Sequence, residues 1–77
     1  MDYTATATLI GPISPDEAEQ IAHRLRDYAA AVAPHEQGSR FAVTFTLRAG
    51  SSREAVIRAL SLSDDLGHRL VGLKIFP

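Results

Sequence analysis

Two short segments constrain this chain more than any other feature, because each has the pattern that begins an α-helix. They are Ser14-Pro15-Asp16-Glu17 and Ser51-Ser52-Arg53-Glu54. In such a capping box the Ser hydroxyl accepts a hydrogen bond from the backbone N–H three residues later, and the Glu carboxylate accepts one from the Ser N–H. Both boxes lie between segments with strand-like alternation, so the sequence predicts a β-α-β unit that occurs twice.

The first half of the chain shows two different periodicities. Residues 3–10 alternate strictly between two faces, which is typical of a strand, and Gly11-Pro12 ends the pattern. Apolar residues at helical spacing then predict a helix from about Pro15 to Tyr28 or beyond. Residues 29–33 fit either an extension of this helix or a short strand, although Pro34 disfavours helical backbone at the residue before it.

The second half repeats the plan. Residues 40–48 alternate most clearly, and the polar link over residues 35–39 has the length of a hairpin loop. We therefore expect a short edge strand near residues 30–34, where a proline is tolerated. The second helix carries a stripe of Ala55, Ala59, Leu62 and Leu66, which Val56, Leu60 and Ser63 broaden. It is expected to end at Gly67, and residues 69–76 alternate as a last strand.

The resulting order is strand, helix, strand, strand, helix, strand in a single α+β domain over residues 1–77. Two right-handed β-α-β crossovers joined by a hairpin give the ferredoxin-like split β-α-β sandwich (βαββαβ), an antiparallel sheet with two helices on one face. The first and third strands would be central. The predicted core consists of Ala5, Ala7, Leu9, Ile21, Ala22, Leu25, Phe41, Val43, Phe45, Leu47, Ala59, Leu62, Val71, Leu73 and Ile75.

The other face of this sheet would be left uncovered. Its predicted members are Thr4, Thr6, Thr8, Ile10, Ala42, Thr44, Thr46, Arg48, Leu70, Gly72, Lys74 and Phe76. The face is flat and rich in threonine, and Ile10, Leu70 and Phe76 are expected to form an apolar patch of the kind that marks contact sites. A solvated face with scattered apolar residues is the alternative. The predicted contact residues are Thr44, Thr46, Arg48, Leu70, Lys74 and Phe76.

Composition argues against most catalytic and metal chemistry. The chain has no cysteine, which excludes disulfides, thiolate metal ligands and thiol nucleophiles. The serines at the helix starts are accounted for as caps, and adjacent acidic side chains diverge, so they make poor acid–base pairs. Asp64 and His68 have a spacing that suits one metal ion on a continuous helix, but Gly67 is expected to break that helix. We expect no enzymatic activity, no cofactor and no metal.

The charge balance and hydropathy restrict the partners further. A net charge of −1 gives no field that attracts nucleic acid or an acidic membrane. Residues 38–45 are similar to the third-strand signature of RNA-recognition modules, which stack bases on exposed aromatics, but the alternation places Phe41 and Phe45 on the core face. No apolar run approaches the ~20 residues of a membrane span, and no signal peptide pattern is present. We expect a cytoplasmic protein without direct nucleic-acid binding.

Four pieces of the chain carry a resemblance to a known family. They are residues 8–14, the strand over 41–47, the helix from Ala59 to Gly67, and the closing segment 71–77. The chain resembles the N-terminal ferredoxin-like module of small high-GC bacterial proteins that continue into a MerR- or excisionase-type helix-turn-helix. These 77 residues contain no helix-turn-helix, so we expect an excised domain or a stand-alone relative. The resemblance implies a regulatory or assembly module that does not itself read DNA.

Two functions are compatible with these observations. The favoured one is a non-enzymatic protein-interaction or dimerisation module, an accessory domain of a bacterial or phage regulator, which forms a homodimer or binds a protein partner through the open sheet face or an edge strand. The alternative is a small-ligand-sensing regulatory domain, whose ligand would bind at a subunit interface near Gly11 or Gly50.

Overall fold

The computed structural model describes residues 1–34, 39–64 and 70–77. Its elements in chain order are β1 (Asp2–Ile10), α1 (Pro15–Arg24), a 3-10 turn (Arg26–Tyr28), β2 (Ala31–Pro34), β3 (Arg40–Arg48), α2 (Ser52–Asp64) and β4 (Leu70–Phe76). The predicted helix end at Gly67 lies outside the described residues, as do His35 and His68.

Four antiparallel strands form one sheet in the order β2-β3-β1-β4, so the first and third strands are central, as predicted. The short edge strand expected near residues 30–34 is present as β2. Buried side chains of both α-helices join one cluster with alternate residues of β1 and β3, which places both helices on the same side of the sheet. The chain is therefore a small α+β fold with a four-stranded antiparallel sheet and two α-helices.

Both helices begin at the serines that the capping pattern predicts. The Ser14 hydroxyl accepts a hydrogen bond from the Glu17 backbone N–H at 3.2 Å. The Ser51 hydroxyl accepts one from the Glu54 N–H at 3.2 Å, and the Glu54 carboxylate accepts from the Gly50 N–H at 2.9 Å. Each serine thus satisfies a backbone donor at a helix start, a contribution of about 1 kcal/mol. Ser52, which was also predicted to act as a cap, is the first residue of α2.

The first helix is shorter than its periodicity predicts. It ends at Arg24, and a 3-10 turn follows in which Ala29 adopts the left-handed conformation with φ 53°. Leu25 lies in the break and remains buried, with 2% of its surface exposed. Because the apolar side chains continue across the break, the stripe did not reveal where the helix stops. Val32 belongs to β2 and pairs with Val43.

The core lies between the helices and the sheet. Phe41, Phe45, Leu9 and Val43 are each at most 1% exposed, so the predicted parity of β1 and β3 is confirmed. Of the other predicted core residues, Leu62, Leu73 and Ile75 are partly buried and pack against this cluster, and Ala22 is partly exposed. The buried cluster also contains Tyr3, Ala49 and Ala55, which are not among the predicted core residues, although Ala55 was predicted on the apolar stripe of the second helix.

A bulge in β4 overturns two of the sequence predictions. Thr8 pairs with Gly72, but the next residue of β1, Leu9, pairs with Leu70, so Val71 is an extra residue in the strand. An extra residue reverses the side to which the preceding residues point. Leu70 therefore packs against the core, although it was predicted on the open face. Val71 was predicted in the core and is 43% exposed.

Candidate functional site

The face of the sheet opposite the helices is here called the open face. Strand pairing places the following residues on it: Asp2, Thr4, Thr6, Thr8, Ile10, Ala31, Ala33, Arg40, Ala42, Thr44, Thr46, Arg48, Gly72, Lys74 and Phe76. Five of the six predicted contact residues are among them. Leu70 is the exception, because the bulge turns it toward the helices.

Small side chains make the centre of the open face flat. Thr6 is paired with Thr44 on one side and with Lys74 on the other. The Thr6 and Thr44 hydroxyl oxygens are 3.4 Å apart, a long contact that links the two central strands. The neighbouring row brings Ala42, Thr8 and Gly72 side by side, with no long side chain among them. A second flat protein surface can approach such a face closely.

Two large apolar side chains that are exposed on the open face lie at its opposite ends. Phe76 is 52% exposed and pairs with Thr4, whereas Ile10, at the other end of β1, is 45% exposed. Thr4 and Ile10 are six residue steps apart along β1, a distance of roughly 20 Å. The predicted patch of Ile10, Leu70 and Phe76 is therefore wrong, since one member lies on the other face and two lie far apart.

Charged residues stand at the rim of the open face. Arg48 Nε donates to the Asp2 carboxylate at 3.1 Å, and both side chains are largely exposed, at 86% and 63%. Such a pair contributes little to stability because water and salt screen it. The Arg48 carbonyl oxygen accepts a hydrogen bond from Arg58 of α2 at 2.9 Å, which fixes the end of the helix-covered layer against β3.

An exposed apolar surface that was not predicted from the sequence lies on α2. Val56, Ile57 and Leu60 are 37%, 60% and 40% exposed. Val56 and Leu60 had been assigned to a broad buried stripe, whereas Ala55, Ala59 and Ser63 are the residues that α2 buries. Apolar residues occupy more of the circumference of α2 than one packed face requires. This excess was the sequence signal that some of them are exposed.

Several clefts lie on the described surface, and two of them differ in what they could hold. One, of about 270 Å³, is lined by Tyr28, Leu47, Arg48, Arg58, Ser61 and Leu62. A larger one, of about 700 Å³, is lined by Asp16, Glu19, Gln20, His23 and Arg24. These lining residues belong to α1. Neither cleft is lined by Gly11 or Gly50, where a ligand was expected.

The described residues offer little that would hold a charged cofactor or a metal. Among residues 1–34, 39–64 and 70–77, no three His, Asp or Glu side chains are grouped as metal ligands would be. Ser63, the buried polar residue of α2, donates its hydroxyl to the Ala59 carbonyl at 2.8 Å. Within the same ranges every buried polar side-chain atom has a hydrogen-bond partner.

No protein-family model matches the sequence, and no curated protein sequence matches it. In the part of the chain that the structure describes, no helix has the length and apolar character needed to cross a bilayer.

Proposed function

We propose that this chain is a non-enzymatic interaction module, an accessory domain of a bacterial or phage regulator, whose open face docks a protein surface. That surface belongs to a second copy of the chain or to a different protein. The observation that carries the proposal is the row of small side chains across the centre of the open face, around Thr6, Thr8 and Thr44, with Phe76 exposed at one end.

The ferredoxin-like assignment is part of this proposal. It is supported by the element order, in which each helix connects two strands, and by the strand order β2-β3-β1-β4. In this arrangement the helices protect one face only. The opposite face of the sheet is then available along the whole length of the central strands.

The dimensions of the open face indicate a weak or regulated contact. Strands of 9, 9, 7 and 4 residues, with a rise of about 3.4 Å and a spacing of about 4.8 Å, cover a projected area of roughly 500 Å². A standard protein interface buries about 800 Å² per partner. Contact through this face alone is therefore expected to be reversible, which suits a module of a regulator.

A double substitution on the open face tests the proposal. Thr44→Glu with Phe76→Ala places a charge at the centre of the face and removes its exposed ring. We expect association through the open face to be lost while the circular dichroism spectrum stays that of the folded chain, because a carboxylate buried in a contact is costly. Light scattering of the chain alone measures the contact between copies.

A matched control uses the outer side of α1. Gln20→Glu with His23→Ala makes the same kinds of change at exposed positions far from the sheet, and association should be unaffected. If the Thr44→Glu, Phe76→Ala chain associates with itself as the natural sequence does, the open face is not the contact between copies.

The cleft near Tyr28 supports a second candidate function, the sensing of a small ligand. Its volume of about 270 Å³ is slightly below the ~300 Å³ at which ligand pockets begin, and both apolar and basic side chains line it. A ligand at about 100 times its dissociation constant adds about 2.7 kcal/mol to stability. A thermal-shift screen of metabolites in which no compound raises the melting temperature would reject this function.

A further inference from the structure

The outward side of α2 carries a stripe of four residues, Arg53, Ile57, Leu60 and Asp64, called here the outer stripe. Successive members are four, three and four residues apart, so they lie along one side of the helix. Arg53 and Asp64 are exposed, and Ile57 is 60% exposed. The outer stripe is separate from the side that packs on the sheet, which consists of Ala55, Ala59 and Ser63.

The two flanks of the outer stripe differ, and only the flank that carries Val56 is apolar. On one flank Arg58 donates to the Glu54 carboxylate and to the Arg48 carbonyl, so that flank is polar and faces the end of β3. Val56 projects from the other flank, since two residues turn a helix by about 200°, and it is 37% exposed. Apolar surface thus continues from Leu60 and Ile57 to Val56.

The charges at the ends of the outer stripe are opposite to those that would stabilise the helix itself. A helix N-terminus favours negative side chains and a C-terminus favours positive ones. The first helix follows this rule, with acidic residues in its first turn and basic residues in its last. In α2, Arg53 is at the N-terminal end and Asp64 at the C-terminal end. No ion pair within the described ranges joins either of them to another residue.

The outer stripe is complementary to itself when it is reversed. The spacing from Arg53 to Ile57 equals that from Leu60 to Asp64, so an identical helix running in the opposite direction brings opposite charges together at both ends. A parallel copy would place Arg53 against Arg53, and the contact would be repulsive. This symmetry argues for a second copy of the chain as the occupant, because a two-fold axis always places the same patch of one copy against that patch of the other.

We propose that two copies of this chain associate through antiparallel packing of α2 on α2, with the outer stripe as the contact. Arg53 of each copy lies opposite Asp64 of the other, and Ile57 of each lies opposite Leu60 of the other. The two ion pairs set the direction and the register, and the apolar centre excludes water. This contact goes beyond the proposed function, because it leaves the open face free for a different protein.

The size of the outer stripe predicts a weak dimer. Eleven helical steps span about 17 Å, which is short for an interface, and contacts that bury less than about 1,200 Å² in total are typically transient. The end charges are exposed, so salt should weaken the contact as the Debye length falls from about 10 Å at 0.1 M to about 3 Å at 1 M.

A charge-reversal experiment on the full chain tests the proposal. Arg53→Asp and Asp64→Arg are made separately, and self-association is measured by sedimentation equilibrium at low salt, up to about 1 mM protein, the concentration range of very weak complexes. Each variant alone should associate at least about tenfold more weakly, since like charges then meet at both ends. An equimolar mixture should associate about as well as the natural sequence, because each copy now carries the charge that the other needs.

The same variants separate an interface from a structural role. Both substitutions place a charge that suits its end of α2, so the melting temperature of each variant should stay the same or rise even though association is lost. Ile57→Ser should also weaken association and leave the circular dichroism spectrum unchanged. Arg26→Asp, an equal change of charge in the 3-10 turn, is the matched control and should leave association unchanged.

Three results would overturn the proposal. The first would be a natural sequence that stays monomeric at about 1 mM and low salt. The second would be single variants that associate as strongly as the natural sequence, and the third would be an equimolar mixture of the variants that fails to associate. The double substitution Thr44→Glu with Phe76→Ala keeps this test separate from the proposed function. If it abolishes self-association while Arg53→Asp does not, the open face is the dimer contact and the outer stripe is not. If it leaves the dimer intact while Arg53→Asp abolishes self-association, the outer stripe holds the copies together.

Discussion

The two faces of the sheet are built from alternate residues of the same strands, yet they differ in almost every property. The covered face carries Phe41, Phe45 and Leu9, each at most 1% exposed. The open face carries threonines, alanines and a glycine, with charges at its rim. Burial of large apolar side chains stabilises a fold by about 1.5–3 kcal/mol each. One face therefore supplies the stability, and the sequence of the other is free to serve recognition.

The largest difference between the faces should appear when Phe45→Ala is compared with Thr44→Ala. Phe45 is 1% exposed, so its truncation leaves a cavity under the helices, and we expect a loss of about 3–5 kcal/mol in the free energy of unfolding. For a chain of 77 residues the total is only about 4–11 kcal/mol. Thr44→Ala should cost less than about 1 kcal/mol. Urea denaturation followed by circular dichroism measures both, and equal losses would contradict the assignment of the two faces.

A smaller contrast is expected between two glycines. A Cβ at Gly11 would lie 2.7 Å from the Phe41 ring, whereas a Cβ at Gly72 on the open face would meet nothing within 4 Å. Because Phe41 is buried, we expect Gly11→Ala to lower the free energy of unfolding by about 1–3 kcal/mol. Gly72→Ala should be neutral or stabilise the strand by up to about 1 kcal/mol. Thermal unfolding of the two variants side by side tests this, and destabilisation at Gly72 alone would reverse the comparison.

The smallest effect should come from the ion pair at the rim of the open face. Asp2 and Arg48 are joined at 3.1 Å but are 63% and 86% exposed, so Arg48→Ala should change the free energy of unfolding by less than about 1 kcal/mol. The change should shrink further in salt. Chemical denaturation at low and high ionic strength measures it. A loss as large as that of Phe45→Ala would mean that the open face carries stability after all.

The sequence predicted those parts of the molecule that follow a regular pattern. Strict alternation placed Phe41 and Phe45 under the helices, and the hydroxyls of Ser14 and Ser51 marked both helix starts. These features depend on neighbours along the chain, and so they leave a local trace in the sequence. The short edge strand was predicted from the length of the link that follows it.

The missed features depend on tertiary packing. The bulge at Val71 lies where the pairing of β4 with β1 shifts by one residue. The neighbouring residues are apolar on both sides of the bulge, so the sequence does not show where the alternation changes face. The helix break at Leu25 is hidden in the same way, because that side chain is buried whether or not the helix continues. The apolar width of α2 indicates that some of its apolar side chains are exposed, but the sequence does not show that Ile57 and Leu60 are among them, since an apolar helix residue looks the same in sequence whether it is packed or exposed.

The bulge has a consequence for how this chain tolerates changes in length. Removing one residue from the middle of a regular strand turns every residue on one side of the cut over to the opposite face. Val71 is an exception, because no residue of β1 pairs with it. Its neighbours Leu70 and Gly72 already pair with the consecutive β1 residues Leu9 and Thr8. A deletion at this one position would join Leu70 to Gly72 as an uninterrupted ladder and leave each of them on the face it now occupies.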